Sequence, residues 1–319
     1  MRRTLATVVF IWPCATAALA DEGGASAWLP GQFASYASVP GDPGFSFETM
    51  FYGRKASATA GTSFSRGGGL LAGLDVSEQY LFLTPAYTFA DPVLHGQLWV
   101  GVTFSMGRND TSVWGVLTGP QGGSLSAARS DSASGISDLY PMASLKWQQG
   151  NHNFMVYTMA SAPLGAYDAN RLAGVGIGHW ALDGGLGYTF VSPSGFEFSV
   201  TAGLTYNFVN PATQYQSGTD GHVDFGVSYA LSDTFYLGAV GYLYNQLSSD
   251  TGLAATLPDG FRSRVAGVGP QLGWSLTLGP VAAELGLRGY KEFAAENRPE
   301  GWNAFLTVSL SAAKPPAGK

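Results

Sequence analysis

Between residues 45 and 310 the chain repeats one pattern. A segment of about ten residues alternates apolar and polar side chains, a short turn follows, then another such segment, then a long loop. Alternation with a period of two is the mark of an extended strand whose faces meet different surroundings. The sorting of the connections constrains the fold further. An antiparallel barrel that spans a membrane has tight turns at one end and longer loops at the other. A two-sheet sandwich has no reason to sort its connections by length.

The pattern is clearest from Gly195 to Phe208. Phe196, Phe198, Val200, Ala202, Leu204, Tyr206 and Phe208 fall on one face, and Glu197, Ser199, Thr201, Gly203, Thr205 and Asn207 on the other. Aromatic rings gather at the ends and aliphatic residues between them, as headgroup and acyl depths require. Similar apolar faces run from Leu98 to Met106, Leu139 to Trp147, Trp180 to Phe190, Val223 to Leu231, Leu272 to Leu278, Val281 to Leu287 and Trp302 to Leu310. Weaker strands begin near Phe45, Gln79, Asn153 and Phe235. The total is about twelve, an even number as single-chain barrels have. The fold class expected is therefore all-β: a transmembrane antiparallel β-barrel with up-and-down topology.

Short turns are expected near Asp91-Pro92, Gly150-Asn151, Ser192 to Gly195, Ser232-Asp233 and Gly279-Pro280. Their Gly, Pro, Asn, Asp and Ser content is turn chemistry. Long loops are expected at 60–78, 107–135, 162–177, 209–221, 247–263 and 292–301. A periplasmic N-terminus puts every short turn in the periplasm and every long loop outside.

Only 12% of residues are charged, against about 25% in an ordinary soluble domain. A lipid-facing exterior accounts for the deficit. No apolar run reaches the length of a helical span. A net charge of −6 argues against nucleic-acid binding, which wants a basic face. Cys14 is the single cysteine, so disulfide frameworks and thiolate metal sites are excluded.

Four regions are expected. Residues 1–20 read as a signal peptide, with Arg2 and Arg3, an apolar core from Leu5 to Trp12, and Ala18-Leu19-Ala20 before the cut. Residues 21–44 are irregular, because their Gly and Pro content forbids a long helix or a central strand. They form either a disordered linker or a lumen plug, and Trp28, Leu29, Phe33 and Tyr36 give a plug something to bury. Residues 45–310 are the barrel, and 311–319 a periplasmic tail without the terminal aromatic common in such barrels.

Strand parity sends Glu48, Asp138, Lys146, His179, Asp183, Glu197, Asn207, His222, Asp224, Gln246, Glu284 and Arg288 to the face opposite the apolar one. Charged groups taken from water need partners, so most should fill and hydrogen-bond a narrow lumen, while a subset lines a solute path. Six of them are acidic, which suits neutral or weakly cationic solutes better than anions. Tyr140, Tyr236, Tyr242 and Tyr244 share that face and offer either a path for an aromatic solute or bulk that closes the bore.

An enzyme is not expected. The residues two after His95, His152, His179 and His222 are Gln97, Phe154, Ala181 and Asp224, so the H-x-S arrangement of barrel esterases is missing. His222 and Asp224 stand two apart on one strand face as a structural pair, with no third metal ligand at recognisable spacing. Gly67 to Gly69 lack the Lys and Ser or Thr of a phosphate loop. No cofactor or metal is implied.

Several motifs occur in order along the mature chain. They are D-E-G-G-A-S-A-W-L-P-G-Q-F at Asp21, G-H-W-A-L-D at Gly178, T-Y-N-F-V-N at Thr205 and T-Q-Y-Q-S-G at Thr213. G-Y-L-Y-N-Q at Gly241, G-V-G-P-Q at Gly267 and E-N-R-P-E-G-W at Glu296 follow. Together they resemble the MetA-pathway phenol-degradation family of outer-membrane transporters. The resemblance implies an outer-membrane channel for small hydrophobic or aromatic compounds, linked with aromatic catabolism. Its expected partners are outer-membrane lipid, the outer-membrane insertion machinery and the solute. The other reading is a barrel that transports nothing and serves envelope structure or surface interaction.

Overall fold

The computed structural model describes residues 26–65, 67–252 and 262–313. The expected signal peptide, the first residues of the irregular segment and the last six residues of the tail lie outside the described residues. Within them the strands are β1 (Gly44–Ser63), β2 (Gly69–Thr88), β3 (Gln97–Thr118), β4 (Ser124–Gln149), β5 (His152–Ser161), β6 (Ala181–Val191) and β7 (Phe196–Asn207). They continue with β8 (Tyr215–Gln216), β9 (Asp220–Ala230), β10 (Phe235–Gln246), β11 (Thr251–Gly252), β12 (Arg264–Leu278), β13 (Val281–Glu296) and β14 (Glu300–Ala312).

Twelve of these close into one antiparallel barrel, each paired with its sequence neighbours once β8 and β11 are set aside. Those two form a separate two-stranded sheet. Closure comes from β1 against β14, in register from Ser46↔Ser311 to Ser57↔Glu300. A closed sheet has no open edge, which is what lets extended backbone cross lipid with its polar groups satisfied.

Outside and inside differ as alternation requires. On β7, Leu204 is 54% exposed on the outer surface, while Glu197 on the inner face is 0% exposed. Leu182, Leu186, Tyr229, Leu237, Trp274, Leu287 and Leu306 continue the apolar exterior on other strands. Burying such surface stabilises by roughly 25 cal/mol per Å2, and in this barrel the burying medium is lipid.

Three expected loops are mostly strand. Residues 60–78 and 107–135 are paired through Ser63↔Gly69 and Thr118↔Ser124, so the connections shrink to 64–68 and 119–123. Residues 292–301 likewise belong to β13 and β14 apart from 297–299. β3 has 22 residues, or about 70 Å of strand, whereas about ten residues cross lipid. The excess stands in water, so neither of its faces needs the apolar residues that announce a strand. The connections of β5 to β6, β7 to β9 and β10 to β12 do remain long.

A bulge shapes the interior. Phe104 pairs with Leu139 and Met106 with Ile136, so Ser105 faces two residues, Ser137 and Asp138. Both turn inward and are buried, as a bulge re-aims side chains.

Candidate functional site

Residues 26–43 run through the interior of the barrel, held by side chains from many strands. Asp224 on β9 accepts two backbone hydrogen bonds, from Gly31 N–H at 3.0 Å and Phe33 N–H at 2.9 Å. Glu197 on β7 accepts from Tyr36 N–H at 3.0 Å and from Ser228 Oγ at 2.8 Å. Arg288 on β13 donates to the carbonyls of Gly31 and Gln32, each at 3.1 Å. Lys146 donates to Val39 O at 3.2 Å, and Gln97 to Gly41 O at 2.8 Å. An irregular segment buried in a barrel has no ladder for its own backbone groups. The inward acids, bases and amides take the place of that ladder.

Rings seat the same segment. Trp28 stacks on His222 at 3.7 Å between centroids and 12° between planes. Phe33 meets Tyr157 edge-on at 5.1 Å, and Tyr36 meets Tyr236 at 5.2 Å. His222 donates or accepts at 2.8 Å with Asp183 on β6. To do so it crosses β7 at Gly203, its register partner, where an added Cβ would lie 2.6 Å from His222 Cε1. The expected His222–Asp224 pair therefore does not form. The strand between β6 and β9 carries glycine at the crossing, so His222 reaches Asp183, while Asp224 is taken up by the segment.

Beside the segment, toward β1 to β5, β13 and β14, lies a cavity of about 550 Å3. Tyr52, Tyr80, Phe82, Tyr140, Met142 and Met155 give it a largely apolar wall, and Trp28, Leu29, Phe33 and Tyr36 line its other side. Glu48, Lys146 and Glu284 face it near the short-turn end. Val175 and Ile177, from the β5–β6 connection, close over it. That connection is clamped by Asp138, which accepts from Gly165 N–H at 3.0 Å and Ile177 N–H at 2.8 Å.

The parity-assigned residues thus divide. Glu48, Lys146, Glu284 and Arg288 line the cavity. Asp183, Glu197, His222 and Asp224 hold or support the segment. His179, Asn207 and Gln246 tie down the long loops: His179 bonds Ile177 O at 2.9 Å, Asn207 donates to Gly218 O at 2.8 Å, and Gln246 donates to Asp250 at 2.6 Å. Of the four inward tyrosines only Tyr140 borders the cavity. Tyr242 packs on Tyr290 and donates to Glu292, and Tyr244 lies under the Arg298 guanidinium.

One constellation escaped the sequence reading. Arg54 on β1 bonds Glu78 on β2 at 3.2 Å and Glu292 on β13 at 3.4 Å, all three buried. Its second terminal nitrogen also reaches Pro299 O at 2.9 Å. Arg54 follows Met50 and Tyr52 on the inner face, and Glu292 follows Arg288 and Tyr290. Extending that parity past the apolar belt would have found them. Among the described residues no group of three His, Cys, Asp or Glu is placed to hold a metal.

The family described as "Putative MetA-pathway of phenol degradation" matches residues 59–308. Among solved structures, an outer-membrane channel from Pseudomonas putida F1 is similar at a TM-score of 0.63 and 13% identity, over 88% of this chain and 100% of that one. A FadL homologue from Pseudomonas aeruginosa reaches a TM-score of 0.40 at 12% identity, over 85% and 90% of the two chains. The NalP autotransporter translocator domain of Neisseria meningitidis reaches 0.40 at 13%, over 86% and 90%. No curated protein matches. At these identities the first likeness speaks to fold, and it agrees with the closed barrel and its greasy exterior. With more than three quarters of its length matched, the chain belongs to the MetA-pathway phenol-degradation family, as a twelve-stranded barrel of the outer membrane.

Proposed function

We propose that the protein is a passive outer-membrane channel for small hydrophobic or aromatic compounds, gated by residues 26–43. The observation that carries this reading is the cavity of about 550 Å3 between that segment and the wall formed by β1 to β5, β13 and β14. Its lining joins rings and methionines on one stretch to polar and charged groups such as Glu48, Lys146, Glu284 and Arg288 on others, a mixture that suits a small organic molecule. The segment fills the rest of the bore, so no wide aqueous pore remains, and a barrel of twelve strands is narrower than an open porin. Passage then requires the segment to shift. Its anchors are individual hydrogen bonds and ring contacts, which part and reform far more readily than barrel strands. The chain encodes no energy source, so flux follows the gradient. The description of the family supports a link with aromatic catabolism, and likeness to a channel supports transport over a purely structural role.

The test is uptake of labelled toluene by cells with and without the protein. Faster uptake with the protein is the expected result. Equal rates would remove the transport claim and leave a barrel of structural or surface function.

A further inference from the structure

Two hollows adjoin on the outer wall of the barrel, where β1 to β4 meet β13 and β14. The lower, of about 790 Å3, is apolar and bordered by Phe51, Leu81, Met106, Leu287 and Leu306. Gly53 and Ala304, register partners, form its floor, and a Cβ added at Gly53 would meet nothing within 4 Å. The upper, of about 880 Å3, is polar and begins two residues further along each strand, toward the long-loop end. There Lys55, Trp302 and Lys291 stand in one row across β1, β14 and β13. All three side chains are exposed. Neighbouring strands lie about 4.8 Å apart, so the lysines are rooted about 10 Å apart with the indole between them. An indole on the outside of a barrel marks headgroup depth. The next row outward carries Asp75, Ser57 and Glu300 side by side on β2, β1 and β14.

The charges of the upper hollow are unequally engaged. Asp110 is paired with Arg108 at 2.8 Å and Asp131 with Arg171 at 2.6 Å. Asp75 accepts from Trp114 Nε1 at 3.3 Å, and Glu300 from Ala295 N–H at 3.4 Å. Neither lysine is ion-paired among the described residues, and Lys291 bonds only the Gly301 carbonyl, at 3.2 Å. The wall is thus layered: an apolar hollow, then two lysines open to an anion, then acceptors for hydroxyl groups. With the short turns in the periplasm, this end meets the outer leaflet.

We infer that this face is a binding site for a phosphorylated glycolipid of the outer leaflet. A phosphate bonds the Lys55 and Lys291 ammonium groups, an acyl chain lies in the hollow over Gly53 and Ala304, and sugar hydroxyls donate to Asp75 and Glu300. Such a lipid presents acyl chain, phosphate and sugar in the order in which the wall presents their partners. A plain anionic phospholipid would leave the outermost carboxylates without donors. The site lies on the outside of the barrel and is independent of any solute path within it.

The test is titration of the full mature chain in detergent, followed by native mass spectrometry. The probes are deep-rough lipopolysaccharide, the same lipid stripped of phosphate, and phosphatidylglycerol. The double variant K55Q/K291Q, the hollow-filling G53F and the control R264Q, an exposed cation on β12 outside both hollows, are compared with the unaltered chain. Folding is checked by heat-modifiable gel migration. Loss of two surface cations predicts that K55Q/K291Q binds lipopolysaccharide about thirtyfold more weakly and no longer distinguishes it from the phosphate-free form. G53F weakens both forms, and R264Q matches the unaltered chain. Equal affinity of K55Q/K291Q and the unaltered chain for lipopolysaccharide overturns the inference, as does an equal loss in R264Q. Binding of phosphatidylglycerol as tightly as lipopolysaccharide assigns the face to anionic phospholipid and overturns the glycolipid assignment.

Discussion

Asp224→Ala is the substitution that bears most directly on the proposed gate. The Asp224 carboxylate is 1% exposed and accepts from both Gly31 N–H and Phe33 N–H. Removing it strands two backbone donors in a site that the segment itself shields from water. Each buried donor without an acceptor costs about 1–3 kcal/mol, so the pair costs about 2–6 kcal/mol. Released from the wall, both groups regain water, so this cost is felt only by the docked segment. The undocked population should therefore rise by between about thirtyfold and twenty-thousandfold. The barrel strands keep all their ladder bonds. Backbone amide exchange, read peptide by peptide on detergent-purified protein, reports the change. Exchange over residues 28–38 should accelerate while β7, β9 and β13 stay protected, and single-channel recordings should show more frequent openings. Unchanged exchange over that segment, in a variant shown to be folded, would refute the claim that these two bonds dock it.

Other substitutions test the surrounding structure. Arg54→Ala leaves Glu78 and Glu292 buried without their counter-charge and should destabilise the barrel by about 3–5 kcal/mol in urea unfolding. Gly301→Ala puts a Cβ 1.8 Å from Lys55 O across the β1–β14 seam, and crowding of this kind costs about 1–3 kcal/mol, read as a lower temperature of gel-shift conversion. In the loop after β10, burial pushes the Asp250 carboxyl up, against hydrogen bonds from Tyr215, Gly218 N–H and Gln246. An acid whose value is raised on folding favours the folded loop more as it is protonated. Protection of the amides at residues 215–218, corrected for the intrinsic fall of exchange with pH, should therefore rise as pH falls toward the ordinary carboxylate range, and Asp250→Asn should flatten that dependence.

Legibility in the sequence followed the solvent. Where a strand lies between lipid and bore, as β7 does, its two faces differ and the alternation from Phe196 to Asn207 announces it. Where β1 to β4 rise above the lipid, both faces meet water. Residues 107–118 and 124–135 then carry Ser, Asp, Arg and Gly on either side and read as loop, although their backbones are fully paired. Arg54, Glu78 and Glu292 sit near that transition, one to a strand, so no local motif marks them. Parity placed Glu197 and Asp224 on the inner face, but their partners in residues 31–36 lie more than 150 positions away, and backbone donors leave no trace in residue identity. His222 illustrates the same limit. Its neighbour in sequence is Asp224, but the glycine opposite it on β7 decides that Asp183 is its partner.

Under the proposed function, solute passage needs residues 26–43 to move. On β6, Thr189 Oγ1 accepts from Ser38 N–H at 3.2 Å, so the two residues are neighbours across the segment–wall contact, within the reach of a disulfide. Cys14, the chain's single cysteine, lies in the expected signal peptide, so Ser38→Cys with Thr189→Cys gives one defined bridge. Labelled toluene uptake should fall to the level of cells lacking the protein when the bridge is oxidised, and should recover on reduction. Full uptake with the bridge closed would contradict the account.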